Sequence, residues 1–300
     1  MLSPLLSPLA YEFIRNALIA GILVGILCPV VGTYLIVQRM TLLGNVIAHA
    51  VLPGLAIAHF LTIDILWGAF VSGLLSSFAT NWIRAQTRIK VDAAMALTLA
   101  SFFALGVILI TRLESRLDLD AFLFGDILSV TVKDVWQTAL ITGVILLLVK
   151  LFYKELLFYT FDPLGAQAMG LPIQVINVGL MAAITLTIIL GMKTVGVILV
   201  TSLIVGPAIT AYLLVKELHQ MMALGGLIGA LSSVIGLYLS YFLDLPSGPA
   251  IALTVFGFFL LGLLLRPVCN LNRENSVGKK LGKKYRSQKS EVSQELEPDA

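Results

Sequence analysis

The chain has 300 residues, 58% hydrophobic and 12% charged, with a mean hydropathy of +0.97 and a formal net charge of +3. Soluble domains carry about 25% charged residues, so this balance excludes an ordinary water-soluble domain and points to a polytopic helical membrane protein. The apolar runs do not alternate with polar residues and their lengths suit a hydrocarbon core about 30 Å thick, which excludes barrel strands.

In chain order, Ser7-Pro8 reads as an N-cap and first-turn proline opening a helix that runs into the first span. No basic region precedes the apolar part and no clear small-residue cleavage site follows it, so no removable signal peptide is expected. Spans are predicted over 17–37, 45–61, 65–82, 94–111, 135–153, 173–191, 195–215, 221–243 and 249–265. Residues 191–195 read either as an outside turn or as a helix break within the bilayer, so the expectation is an all-α transmembrane bundle of 8–9 spans. It occupies one domain, residues 1–268, followed by a tail over 269–300.

None of the spans contains an Asp or Glu, and the least expected residue in them is His49. A titratable side chain in a lipid-spanning segment is costly unless it faces a polar path. On a helix Asn45 and His49 are i and i+4 and share one face. An amide oxygen and an imidazole nitrogen suit a borderline divalent ion such as Mn(II), Fe(II) or Zn(II). The bland alternative is a histidine hydrogen-bonded to a neighbouring helix, with Asn45 as interhelical glue. Pro53-Gly54 should kink or loosen this helix, and broken helices often line a path. His59 lies near the span end and reads as an interface residue, and Cys28 as a small packing residue far from Cys269.

Asp92 is expected to cap the fourth span and meet its dipole. Further on, Asp162-Pro163-Leu164-Gly165-Ala166-Gln167-Ala168-Met169-Gly170 carries a cap, a first-turn proline and a closing glycine. That pattern predicts a short two-turn helix, either a plain connector or a surface against which a cytosolic partner pushes. Gly206-Pro207 interrupts the seventh span as a kink, and Asp244 to Pro249 forms a rigid turn between the last two.

Positive charge concentrates in cytoplasmic loops. With the N-terminus outside, seven Lys or Arg fall in inside loops before the tail and five outside, and the stretch from Arg266 onward adds eight more inside. Glu114, Asp118, Asp120, Asp126 and Asp134 crowd the outside segment 112–134. N-out, C-in follows, and Trp67, Trp82 and Trp136 sit near span ends as interfacial anchors. The tail, with almost no large apolar residue after Leu281, is expected to be disordered and solvated beside anionic lipid rather than bound to nucleic acid.

Several devices are missing from the sequence. Gly278-Lys279-Lys280 lacks the upstream glycine and the hydroxyl of a phosphate-binding loop, so ATP is not bound by that means. H-E-x-x-H and G-x-S-x-G are absent, which argues against intramembrane hydrolysis. Without span carboxylates the chain also lacks the usual proton relays of a self-sufficient carrier. A transporter of this composition must draw its energy from elsewhere.

The run Arg39 to Asn45, followed by Ala48-His49-Ala50-Val51-Leu52-Pro53-Gly54, resembles the G-D-x-x-S-H-A-V-L-P-G signature of one permease family. These are the membrane subunits of ATP-binding-cassette importers for manganese, zinc or iron. The likeness continues through Asp92-Ala93-Ala94, Leu123 to Leu128, Phe161-Asp162-Pro163, Val195 to Leu199, Pro207 to Ala211 and Pro246-Ser247-Gly248, nearly the whole chain except the tail.

The resemblance implies a homodimeric permease of the inner or plasma membrane, not itself an enzyme. It also implies a cytosolic ATPase on each protomer and an extracytoplasmic metal-binding protein delivering the ion. No cofactor is implied beyond the transported metal, with ATP used by the partner. The family's metal-contacting Asp and His map onto Asn45 and His49; the histidine matches, whereas the amide keeps an oxygen but drops a charge. The ATPase-docking segment maps onto Asp162 to Gly170. Manganese is favoured over zinc or iron, and a secondary metal carrier or channel stands as the alternative.

Overall fold

The computed structural model describes residues 11–87, 89–113, 125 and 127–265. Among them there are only helices, turns and one 3-10 turn at Ile127–Ser129. The helices are α1 (Glu12–Val37), α2 (Leu43–Ala50), α3 (Leu52–Phe60), α4 (Ile65–Gln86), α5 (Val91–Arg112), α6 (Val132–Leu151), α7 (Tyr153–Phe161), α8 (Pro163–Ala168), α9 (Ile173–Val195), α10 (Val197–Leu214), α11 (Leu218–Leu243) and α12 (Ser247–Leu265). The Ser7-Pro8 cap, Arg88, Cys269, the tail over 269–300 and the acids Glu114, Asp118, Asp120 and Asp126 lie outside the described residues.

Among the described residues eight segments are long and apolar enough to cross a bilayer, with α2 and α3 counting as one. The ninth predicted span, 65–82, is the 22-residue helix α4, long enough to cross but less apolar. Its buried hydroxyls explain why it folds all the same. Ser76, Ser77 and Thr80 return their protons to carbonyls of their own helix at 2.7 to 2.9 Å, and Ser72 reaches the Ala50 carbonyl at 2.6 Å. Each of these four hydroxyls thus has a carbonyl acceptor, which is what lets it sit in an apolar interior.

The core forms around α1. It packs against α10 and α11, and also against α6 and α9. Gly25 and Gly229 face each other so closely that a Cβ on Gly229 would sit 2.0 Å from the Gly25 carbonyl oxygen. In a membrane, where burial against lipid gains little, such backbone approach is what holds helices together. Pro29 stays inside α1 without ending it, and Pro207 stays inside α10, so the predicted kink at Gly206-Pro207 does not split that helix. Cys28 is a buried free thiol, a packing residue as expected.

Residues 191–195 are themselves helical: α9 runs unbroken to Val195, and Gly196, at φ +85°, separates it from α10. That backbone conformation costs a glycine nothing and a residue with a Cβ a good deal. Asp92 does not cap α5. The cap position is Lys90, and Asp92 lies in the first turn, where its charge meets the positive end of the helix dipole. Asp244 takes the left-handed conformation at φ 55° and closes α11 ahead of α12. Trp67, Trp82 and Trp136 are all exposed near helix ends.

Candidate ion pathway

Residues 43–60 form two short helices rather than one. Pro53 lies in the first turn of α3, and having no N–H it cannot give the His49 carbonyl its usual i+4 donor. Chain direction is kept across the joint by Val51 N–H to the Ile47 carbonyl at 3.1 Å and Leu55 N–H to the Val51 carbonyl at 3.0 Å. Ser72 from α4 takes up the Ala50 carbonyl. Pro53-Gly54 therefore loosens the helix as its residue types dictate, and His49 sits in the last turn before the break.

α2 is packed by α4, α5, α9 and α10, and most of its residues are buried. The exceptions, Asn45 and His49, are half-buried and lie on one stripe with the exposed Leu42 that precedes the helix. Sequence spacing places Asn45 and His49 on one face, and the structure leaves that face partly open. Neither side chain has a hydrogen-bond partner among the described residues, so the glue role weighed above finds no partner there. His49 meets the ring of Phe103 on α5 edge-on, with centroids 5.8 Å apart and planes at 85°. Such a T-shaped contact is a favourable ring arrangement.

The pair stands alone. Among the described residues no group of three or more His, Cys, Asp or Glu comes together to hold a metal ion. An amide oxygen and an imidazole make two ligands, whereas desolvated divalent ions usually take four to six. Beside the pair, α5 turns Ala93, Ala96, Ala100, Phe103 and Ala104 outward. His59, in the last turn of α3, is exposed, in keeping with an interface position.

The segment Asp162 to Gly170 folds as its residues predict. The Asp162 carboxylate accepts the Gly165 N–H at 2.9 Å, Pro163 opens the helix, and Gly170 closes it at φ +78°. Ala166 is fully buried, while Leu164 is 79% and Met169 59% exposed. Gly165 is not free to vary: a Cβ there would stand 2.2 Å from the Asp162 carboxylate. The segment is tied to the bundle through α7, where the Tyr159 hydroxyl donates to Asn177 Oδ1 on α9 at 2.9 Å. Burial pushes the Tyr159 phenol up, with the Arg84 charge partly opposing it, so the hydroxyl stays a donor.

Sequence reasoning missed three contacts. One is the Phe103 edge on His49; another is the Tyr159–Asn177 bond. The third joins α6 to α9: Lys193 Nζ lies 2.9 Å from Asp134 and 3.0 Å from Gln137 Oε1, and Asp134 also closes a capping box with Thr131. The Thr131-x-x-Asp134 spacing was the readable signal for that box. Pairing to a residue on another helix left no local trace.

These features define a class: a helical membrane bundle with a partly open polar pair beside a broken helix and an exposed, capped connector helix. The chain belongs to the ABC 3 transport family, whose model matches residues 10–266. It is 40% identical over 257 residues to the manganese transport system membrane protein MntC of Listeria monocytogenes, covering 86% of this chain and 92% of the relative. It is 35% identical over 265 residues to the chelated iron transport system membrane protein YfeD of Yersinia pestis, covering 88% and 89%. The fold matches a chain of PsaBC from Streptococcus pneumoniae, solved in complex with Fab, with a TM-score of 0.81, 39% identity and 92% and 100% of the two chains covered. The chain is thus a multi-pass plasma-membrane protein whose work is transport rather than catalysis.

Proposed function

We propose that this chain is the permease of an importer that carries a divalent transition-metal ion inward, manganese in preference to iron or zinc, while a separate cytosolic subunit hydrolyses ATP. The half-buried Asn45–His49 pair at a helix break carries this reading. It offers nitrogen and oxygen ligands of the right softness in a span that has no other use for a titratable group. Relatives named for manganese and for iron support the cargo class, and the larger share of identity with the manganese protein favours that ion.

Two ligands per chain are too few, so two copies meet with their pairs facing one path, waters completing the shell. The outward alanines of α5 suit such a meeting, since small residues let helices approach closely. The segment Asp162 to Gly170 docks the ATPase through exposed Leu164 and Met169. An extracytoplasmic metal-binding protein hands over the ion at the opposite end.

The test is uptake of radiolabelled manganese by cells carrying His49→Ala. Accumulation should fall at least tenfold with the amount of protein in the membrane unchanged. In the unaltered protein, uptake should also fall as the medium is acidified, because imidazole must be neutral to bind metal. Normal accumulation of manganese, iron and zinc by His49→Ala cells would make His49 a packing residue and move the path elsewhere.

A further inference from the structure

Between α1, α6 and α11 lies a groove of about 610 Å³, walled by apolar side chains including Ile26, Val30, Val149 and Met222. All three helices are bilayer spans, so the groove opens at hydrocarbon depth. The exposed side of α6 is apolar as well, with Leu140, Leu147 and Leu151 each about two-thirds exposed. One end differs in kind. There Lys150, Tyr153 and His219 line the groove, at the last turn of α6, the start of α7 and the first turn of α11.

We infer that this groove holds one anionic phospholipid, an acyl chain along the apolar walls and the phosphate at Lys150 and His219. An acyl chain gains little by leaving the bilayer for a groove of the same apolarity, so selection must come from the charged end. Lys150 is exposed and forms no ion pair among the described residues. His219 lies 3.2 Å from Glu217, whose carboxylate also accepts from Gln220 at 2.8 Å. Lys150, the His219 imidazole and the Tyr153 phenol face one shared acid, Glu217, and the sequence neighbours Lys154 and Lys216 outnumber the single further acid Glu155. That excess suits a phosphodiester bearing a net negative charge and discriminates little for a zwitterionic one. A protein occupant would have to bring its own membrane helix. The face proposed for the second copy is elsewhere, on α5, which packs on α2, α3 and α4.

The experiment uses the full chain in detergent, with native mass spectrometry after addition of phosphatidylglycerol or phosphatidylcholine. One phosphatidylglycerol per chain should be retained in preference to phosphatidylcholine. Lys150→Gln with His219→Gln should lower that retention about fivefold and leave phosphatidylcholine unchanged. Ala223 is exposed and lines the groove, so Ala223→Trp fills it without touching the core and should lower retention of both lipids. Equal retention of the two lipids by the unaltered chain, or lipid binding unchanged in both variants, overturns the proposal. So does a photoreactive group at position 223 that crosslinks to protein rather than to lipid in native membranes, which would make the groove an interface.

Discussion

Around α1 the helices close on one another through their backbones, whereas α5 is left largely uncovered beside the Asn45–His49 stripe. Fifteen of the 26 residues of α1 are buried, but only Ala94, Met95, Thr98 and Gly106 of the 22 in α5. Both helices are apolar enough to span a bilayer, so hydropathy does not separate them. The difference lies in what each helix touches. The seam of α1 with α10 and α11 is where the fold is fixed, and the open side is where a transport family has reason to keep surfaces that meet something else.

The sharpest way to break this comparison is to crowd the closed side. Gly229→Val would drive a side chain into the Gly25 carbonyl, where a Cβ has only 2.0 Å, and backbone rather than a flexible side chain would have to move. A loss of about 3 kcal/mol or more is expected, seen as little folded protein recovered from membranes. A bulky change on the open face, Ala100→Leu, should leave folding within about 0.5 kcal/mol, because Ala100 is exposed and has no such neighbour. If both variants are recovered in equal amount, the distinction between a closed and an open side fails.

The connector helix gives a second contrast, now in transport rather than folding. Leu164→Glu alters a side chain that is 79% exposed and should leave the protein as abundant as before, yet reduce metal uptake at least tenfold if an ATPase docks there. Gly165→Glu is a poorer probe, since any side chain at 165 strikes the Asp162 cap and disturbs the helix itself. Co-purification of the ATPase at unchanged yield with Leu164→Glu, together with normal uptake, would take the docking role away.

Much of this was legible in the sequence, because in a bilayer few structures satisfy the backbone and helix length is set by membrane thickness. Local chemistry was equally readable: Asp162, Pro163 and Gly170 specify a capped short helix, and Pro53 specifies the break after His49. The i, i+4 spacing also placed Asn45 and His49 on one stripe. What stayed hidden was pairing between helices. Nothing near Phe103 in the chain says that its ring will meet His49, and nothing near Gly54 says that Gly68 will be its neighbour. The acid at the start of α5 shows a finer limit. Asp92 looks like a cap, but the extended backbone at Lys90 moves the helix start two residues earlier and leaves Asp92 to the dipole.

The pair itself can be graded by substitution. Asn45→Asp restores a charge where water is scarce, and should lower the concentration of manganese giving half-maximal uptake by about tenfold, since a unit charge at ion-pair distance contributes from about 1 to 4 kcal/mol. Asn45→Leu removes the oxygen as well and should raise it. Because both side chains are of similar size to Asn and the position is half-buried, neither should alter abundance much. Identical uptake curves for Asn45→Asp and Asn45→Leu would show that no ion pauses at this residue.

The smallest effect belongs to the ion pair between α6 and α9. Lys193 and Asp134 approach to 2.9 Å, but their side chains remain 40% and 23% exposed, so solvent and salt screen the attraction. Lys193→Met should therefore cost no more than about 1 kcal/mol, and that cost should shrink as salt rises. Asp134 keeps its place in either case, because the Thr131 hydroxyl and N–H bond its carboxylate at 2.6 and 3.2 Å without Lys193. Thr131→Val should then unsettle the start of α6 about as much as Lys193→Met, by loss of the capping box. Thermal unfolding of the purified chain at low and high salt separates the two: the Lys193 variant should converge on the parent as salt is added, and the Thr131 variant should keep most of its deficit. A Lys193→Met deficit that is large and indifferent to salt would mean that the contact between α6 and α9 belongs with the closed side of the bundle.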